Sequence, residues 1–187
     1  MEQIVQLNSN AKLSEHLASP NEATLGHSCV PAVASDQRSS ANKLDGSHLS
    51  PHFTLGEMTK SSSHPEVYNI PSHEAIANLK RVCGWLEVLR ERYGKPIIIN
   101  SGYRSPQLNK KIGGVAGSNH LTGCAVDIRV LGMEQLIRYA TILLDYADES
   151  HQDFDELLIE RNRYGAIWLH FAVRPFSNRR KVSFINA

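Results

Sequence analysis

His120 and Asp127, in the run His120-Leu-Thr-Gly-Cys-Ala-Val-Asp127, and His170, in Trp168-Leu-His-Phe-Ala-Val173, are the side chains of this sequence best suited to chemistry. Two imidazoles and a carboxylate form the donor set of a catalytic zinc site, in which three protein ligands leave a fourth position open to water. A closed structural site would more often recruit cysteine thiolates. The pattern therefore points to Zn2+ bound by His120, Asp127 and His170, and to a metal-dependent hydrolase. A single histidine on an apolar strand is more often a hydrogen-bonded core residue, so the weight rests on the three together.

Two strands must aim these groups. Gly123 permits a tight or left-handed turn after the loop carrying His120, and Cys124 to Val130 reads as a strand. Its alternation puts Ala125, Asp127 and Arg129 on one face and Cys124, Val126, Ile128 and Val130 on the other. The same parity puts Trp168, His170 and Ala172 on one side of a second strand, with Leu169, Phe171 and Val173 packing the opposite side. A polar group amid apolar neighbours on a sheet face requires a partner.

The remaining elements follow from local signals. Thr54-Leu-Gly-Glu57 is a capping-box pattern that opens a short helix. Pro71-Ser-His-Glu starts a longer one in which Ile76, Leu79, Cys83, Leu86 and Leu89 recur at helical spacing to Tyr93, and Gly94-Lys-Pro96 ends it. Ile97 to Asn100 reads as a buried strand, followed by a short helix from about Pro106. A further helix is expected over about Met133 to Ala147, with an apolar stripe of Met133, Leu136, Ile137, Ala140, Leu143, Leu144 and Ala147. Phe154-Asp-Glu-Leu-Leu-Ile-Glu160 reads as a strand forming a hairpin with the Trp168 strand. This order predicts an α+β domain whose antiparallel sheet carries the metal on one face and meets helices on the other.

Every Phe, Tyr and Trp lies at or after Phe53. Residues 1–52 are rich in Ser, Asn, Ala and His without a periodic apolar stripe, and read as a flexible extension unable to bury enough surface to fold alone. The domain is expected over residues 53–176, with 177–187 as a C-terminal tail. A formal net charge of +1 argues against nonspecific nucleic-acid binding, and Arg179-Arg-Lys181 reads as part of a solvated tail. Cys29, Cys83 and Cys124 form neither a disulfide framework nor a thiolate zinc site. Without a basic and apolar leader or a membrane-spanning stretch, the chain as given reads as cytoplasmic, with no membrane partner. A monomer is expected. No Gly-x-Ser-x-Gly elbow supports a covalent nucleophile.

Ser101-Gly-Tyr-Arg-Ser105, Gly117-Ser-Asn-His120, the His-x-x-Gly-x-Ala-x-Asp segment and Trp-x-His together resemble the zinc D-Ala-D-Ala carboxypeptidase family, in particular its compact peptidase domain. The resemblance covers about Phe53 to Val173, and the same ligand set recurs in lysostaphin-like and hedgehog-type zinc folds. It implies the hedgehog or D-Ala-D-Ala peptidase-like fold, the ligands His120, Asp127 and His170, and a metallopeptidase acting on the stem peptides of bacterial peptidoglycan. The cut could be that of a carboxypeptidase or of an endopeptidase. Arg104 matches the arginine that holds the substrate, a task suited to a planar fork of donors. Tyr103 and Ser118 match residues at the substrate groove.

One branch of the family carries Glu-x-x-His at the last ligand, whereas here Ile167 stands three residues before His170. Another carboxylate must accept the proton. Glu160 is the candidate: the hairpin would carry it towards the metal, and the compact branch has a similar Phe-Asp-x-Leu-Ile-x-Glu segment. Asp155 and Glu156 are next in line. A wall hydrolase without a leader fits a phage-type lysis enzyme (an endolysin) reaching the cell wall after release, or an exported one. The alternative is a noncatalytic zinc-bearing module that binds the wall.

Overall fold

A computed structural model describes residues 48–186. The expected extension over 1–52 lies mostly outside these residues, as does Cys29. Its last five residues do not: Leu49 and Ser50 are buried, and both backbone N–H groups donate to the Phe53 carbonyl, at 2.9 and 3.2 Å. The Ser50 hydroxyl and the His52 backbone N–H donate to Glu87, at 2.6 and 2.8 Å. The packed fold thus includes Leu49 and Ser50, inside the expected extension. A turn closed by backbone hydrogen bonds needs no aromatic residue to announce it.

Helix α1 (Leu55–Thr59) is capped as its sequence implies, the Thr54 hydroxyl accepting the Glu57 N–H. Helix α2 (His73–Tyr93) starts with Ser72 accepting from the Ala75 N–H and stops at Gly94 in the left-handed conformation. Strand β1 (Ile99–Ser101), helix α3 (Pro106–Lys111) and a 3-10 turn (Asn119–Thr122) lead to strand β2 (Ala125–Arg129). Helix α4 (Met133–Ser150) is followed by β3 (Glu156–Arg161), β4 (Ile167–Ala172) and β5 (Lys181–Asn186). No helix among the described residues is long and apolar enough to cross a membrane.

The five strands lie in the order β1-β2-β4-β3-β5. Pairing is antiparallel for β1–β2, β2–β4 and β3–β4, but β5 runs parallel to β3. The sheet is therefore mixed, which corrects the antiparallel expectation. Residues 181–186 also correct the expected tail over 177–187, because they close the free edge of β3. The physical reason lies in Arg180, Lys181 and their neighbours: the N–H groups of Arg180 and Lys181 donate to the carbonyls of Phe154 and Asp155, at 2.9 and 3.0 Å.

Alternation along the strands builds the core. Val126, Ile128, Leu157, Leu169 and Phe171 leave one sheet face and join Leu79, Val82, Leu86 and Leu89 of α2 and Leu136, Tyr139 and Leu143 of α4 in a single buried cluster. Burying each large side chain contributes about 1.5 to 3 kcal/mol. Trp85 ties the layers together, its ring lying 4.8 Å from Tyr146 of α4 and 5.3 Å from Phe171 of β4. The apolar stripe of α4 is narrower than its sequence suggests. Met133 and Ile137 are exposed, and Tyr139 takes a place on the buried face instead.

Candidate metal centre

On the other sheet face, Asp127 and His170 are direct cross-strand partners in the β2–β4 register. His120 reaches them from the 3-10 turn, which is fixed at both ends. The Ser118 hydroxyl accepts the His120 backbone N–H at 3.3 Å, and Gly123 ends the turn with φ +73°. A Cβ added at Gly123 would stand 2.4 Å from the Ala75 carbonyl oxygen, so the turn lies hard against the start of α2. Asn78 of α2 holds it there by donating to the Thr122 carbonyl at 2.9 Å.

The three side chains converge. His120 Nε2 lies 3.3 Å from His170 Nδ1 and 3.3 Å from Asp127 Oδ1, and His170 Nδ1 lies 3.0 Å from the same oxygen. All three residues are buried. His120 Nδ1 lies 2.6 Å from the Gly102 carbonyl oxygen. A carbonyl can only accept, so Nδ1 carries a proton and Nε2 of a neutral ring turns its lone pair inwards. Burial lowers the His120 pKa despite the opposing pull of Asp127. Burial works against charge on Asp127 and His170 as well, but there the mutual attraction wins, holding the Asp127 carboxyl well below its usual range and raising His170 to about 9.

A dication fits this donor set. Ligand atoms at tetrahedral angles on bonds of about 2.0 to 2.2 Å are separated by about 3.3 to 3.6 Å, close to the spacing observed. Two ring nitrogens and a carboxylate oxygen packed this closely need a cation between them, and protons or a metal can supply it. The backbone carbonyl behind His120 is the kind of outer partner that fixes a ligating imidazole.

Arg104 stands at the rim. Its Nε donates to the Ser101 hydroxyl at 2.9 Å and its Nη2 to Asp127 Oδ2, the carboxylate oxygen turned away from the histidines. Its backbone N–H donates to the His120 carbonyl at 3.1 Å. Ser118 lines a cleft of about 360 Å³ together with Asn119, Arg174 and Phe176. Tyr103, expected at the substrate groove, is only 8% exposed and belongs to the core cluster, with its backbone N–H donating to the Met58 carbonyl at 2.8 Å. Its ring packs against apolar neighbours, so the structure gives it a structural place.

Glu160 lies directly across from Trp168, on the same face as Asp127 and His170 by strand parity. It is partly buried, and burial first, then the Asp127 charge, raise its pKa against the opposing pulls of His170, the Trp168 indole and Arg104. The Trp168 indole N–H is itself buried and makes no full hydrogen bond among the described residues. Glu156 shows the opposite behaviour. Its pairing with His170 outweighs burial and, with help from Arg179, holds its pKa down at about 2. Two carboxyl groups on one strand, pushed apart by their surroundings, are suited to different roles.

Sequence reasoning missed the charges behind the site. Asp155 is fully buried and accepts from Arg179 Nε and Nη2, at 2.8 and 2.7 Å, and from Asn119 Nδ2 at 2.8 Å. Arg174 pairs with the same carboxylate at 3.0 Å. The one signal available was an acidic residue directly after Phe154 at the entry of a strand.

The Peptidase M15 family matches residues 51–153, and the chain belongs to that family. A zinc D-Ala-D-Ala carboxypeptidase of Streptomyces albus G is 32% identical over 78 residues, which make up 41% of this chain and 31% of that relative. The chain thus matches under a third of the relative's length. His120 and Asp127 lie inside the stretch matched by the family, whereas Glu160 and His170 lie beyond it.

Proposed function

We propose that this chain is a zinc metallopeptidase that hydrolyses D-Ala-containing peptide bonds in peptidoglycan stem peptides, either as a carboxypeptidase or as an endopeptidase. The observation that carries the reading is the convergence of His120 Nε2, Asp127 Oδ1 and His170 Nδ1 in a chain of the Peptidase M15 family. These three atoms would hold the zinc. When bound, zinc supplies a Lewis acid that polarises a carbonyl and eases deprotonation of water.

The protein's own groups supply the rest. Glu160 carries a carboxyl with a raised pKa on the metal-bearing face, and serves as the general base that takes the proton from the attacking water and returns it to the leaving amine. Arg104 holds the peptide near its carbonyl or terminal carboxylate with the guanidinium donors that Ser101 and Asp127 leave free. Ser118, which caps the turn that carries His120, lines the peptide groove beside that ligand.

The test is turnover of purified muropeptides, followed by mass spectrometry, with zinc-loaded and chelated protein. Release of D-alanine identifies a carboxypeptidase, and loss of cross-links an endopeptidase, in both cases abolished by the chelator. Stoichiometric zinc without turnover of either kind would refute the peptidase reading and leave a noncatalytic wall-binding module.

A further inference from the structure

Glu156, Arg179 and Lys181 lie beyond the segment that matches the family and Asn119 within it, and the reaction as proposed uses none of them. Glu156 Oε2 stands 3.6 Å from His170 Nε2, the ring nitrogen opposite the one that faces His120 and Asp127. The gap is an ion-pair distance. Around this carboxylate every contact is a donor. Oε2 accepts from Asn119 Nδ2 at 2.9 Å, and Oε1 pairs with Arg179 Nη2 at 2.9 Å and with Lys181 Nζ at 3.7 Å. Asn119 directly precedes His120, while Arg179 and Lys181 lead into β5.

We infer that Glu156 is a positioning residue for His170: its carboxylate takes the Nε2–H of the ring and thereby commits Nδ1 to the metal. Asn119 and Arg179 keep it from turning away. A carboxylate gripped on both oxygens by donors cannot swing towards substrate, so it complements Glu160 instead of competing with it. A ligating histidine that gives its other N–H to a carboxylate is fixed in tautomer and orientation. The final strand acquires a purpose at the site in this way, because it delivers Arg179 to the back of the ligand.

The inference rests on the zinc reading, and the experiment separates the two. Zinc affinity is measured by chelator competition on folded wild-type protein and on Glu156→Gln and Glu156→Asp. Gln keeps the shape but must turn its amide NH2 towards either His170 or Arg179, so affinity should fall about 10- to 100-fold. Asp keeps the charge and should recover part of the loss. A residue that merely ties β3 to β5 would lower the stability of the metal-free protein without moving the zinc affinity of folded molecules. Affinity within twofold of wild type in the Gln variant therefore overturns the inference while leaving the zinc site standing. If wild type itself binds no stoichiometric zinc, both fall. Should the Gln variant not fold, nitrogen NMR of zinc-loaded wild type decides: an exchange-protected proton on His170 Nε2 is expected, and its absence refutes the assignment.

Discussion

Replacing Gly123 by alanine perturbs the turn that presents His120 without touching any group that could bind metal or substrate. Two costs arise. A non-glycine residue at φ +73° loses about 1 to 2 kcal/mol. The new Cβ would also lie 2.4 Å from the Ala75 carbonyl oxygen and 3.0 Å from its carbon, both backbone atoms of the first turn of α2 that cannot rotate aside. Relieving such overpacking typically costs about 1 to 3 kcal/mol. The sum is about 2 to 5 kcal/mol, which for a domain of this size lowers Tm by roughly 10 °C. The Gly123 N–H bonds the carbonyls of Asn119 and His120, so the shift is transmitted to His120 and zinc affinity should fall as well. Urea unfolding of the metal-free protein gives the first number and chelator competition the second. Gly117→Ala is the control: nothing lies within 4 Å of its Cβ position, and its effect should stay within about 0.5 kcal/mol. If Gly123→Ala proves as benign as Gly117→Ala, the account of how the turn is wedged against α2 is wrong.

Glu160→Gln preserves shape and removes the proton acceptor, so kcat should drop about 10²- to 10⁴-fold with zinc retained; unchanged turnover would transfer the base to another group. Arg104→Lys keeps a charge but cannot bond Ser101 and Asp127 while also reaching substrate, and kcat/KM should fall about 10- to 100-fold with Tm little altered. Wild-type activity in that variant would return Arg104 to a structural role. Burial alone would raise the Asp155 pKa, but hydrogen bonds from Arg179 and Asn119 and the charge of Arg174 bring it below the ordinary value. A carboxyl with a lowered folded pKa stabilises fully above the unfolded pKa of about 3.9 and loses that contribution as pH falls through the folded value. Asp155→Asn should therefore cost about 1.5 to 3 kcal/mol at pH 7, and the gap to wild type should narrow below pH ~4. A gap independent of pH would show that Asp155 is not ionised in the native state.

What could be read from the sequence was local. The caps at Thr54, Ser72 and Gly94 bound their helices because capping depends on residues three or four positions apart. His120, Asp127 and His170 could be grouped because residue type and strand parity are sequence properties, and the β2–β4 register sets the last two opposite each other. Non-local pairing was hidden. Lys181 to Asn186 looks like a charged tail until β3 offers it an edge, and nothing local specifies a parallel partner. Arg179 is read as solvated when its buried acceptor, Asp155, is unknown. Tyr103 sits inside a family motif, yet the fold buries it in the core cluster.

The sheet order separates the candidate ligands by how tightly the fold holds them. β2 and β4 are interior strands with neighbours on both sides, whereas His120 rides on a four-residue 3-10 turn. Interior strands open to solvent only with the whole domain, while short turns open locally and far more often. Asp127 and His170 thus form the durable half of the site, lasting as long as the native state itself. His120 depends instead on the clamps of its turn, the Ser118 cap, Gly123 and the Asn78 bond to Thr122, so the third ligand is only as secure as that short segment's hold on α2.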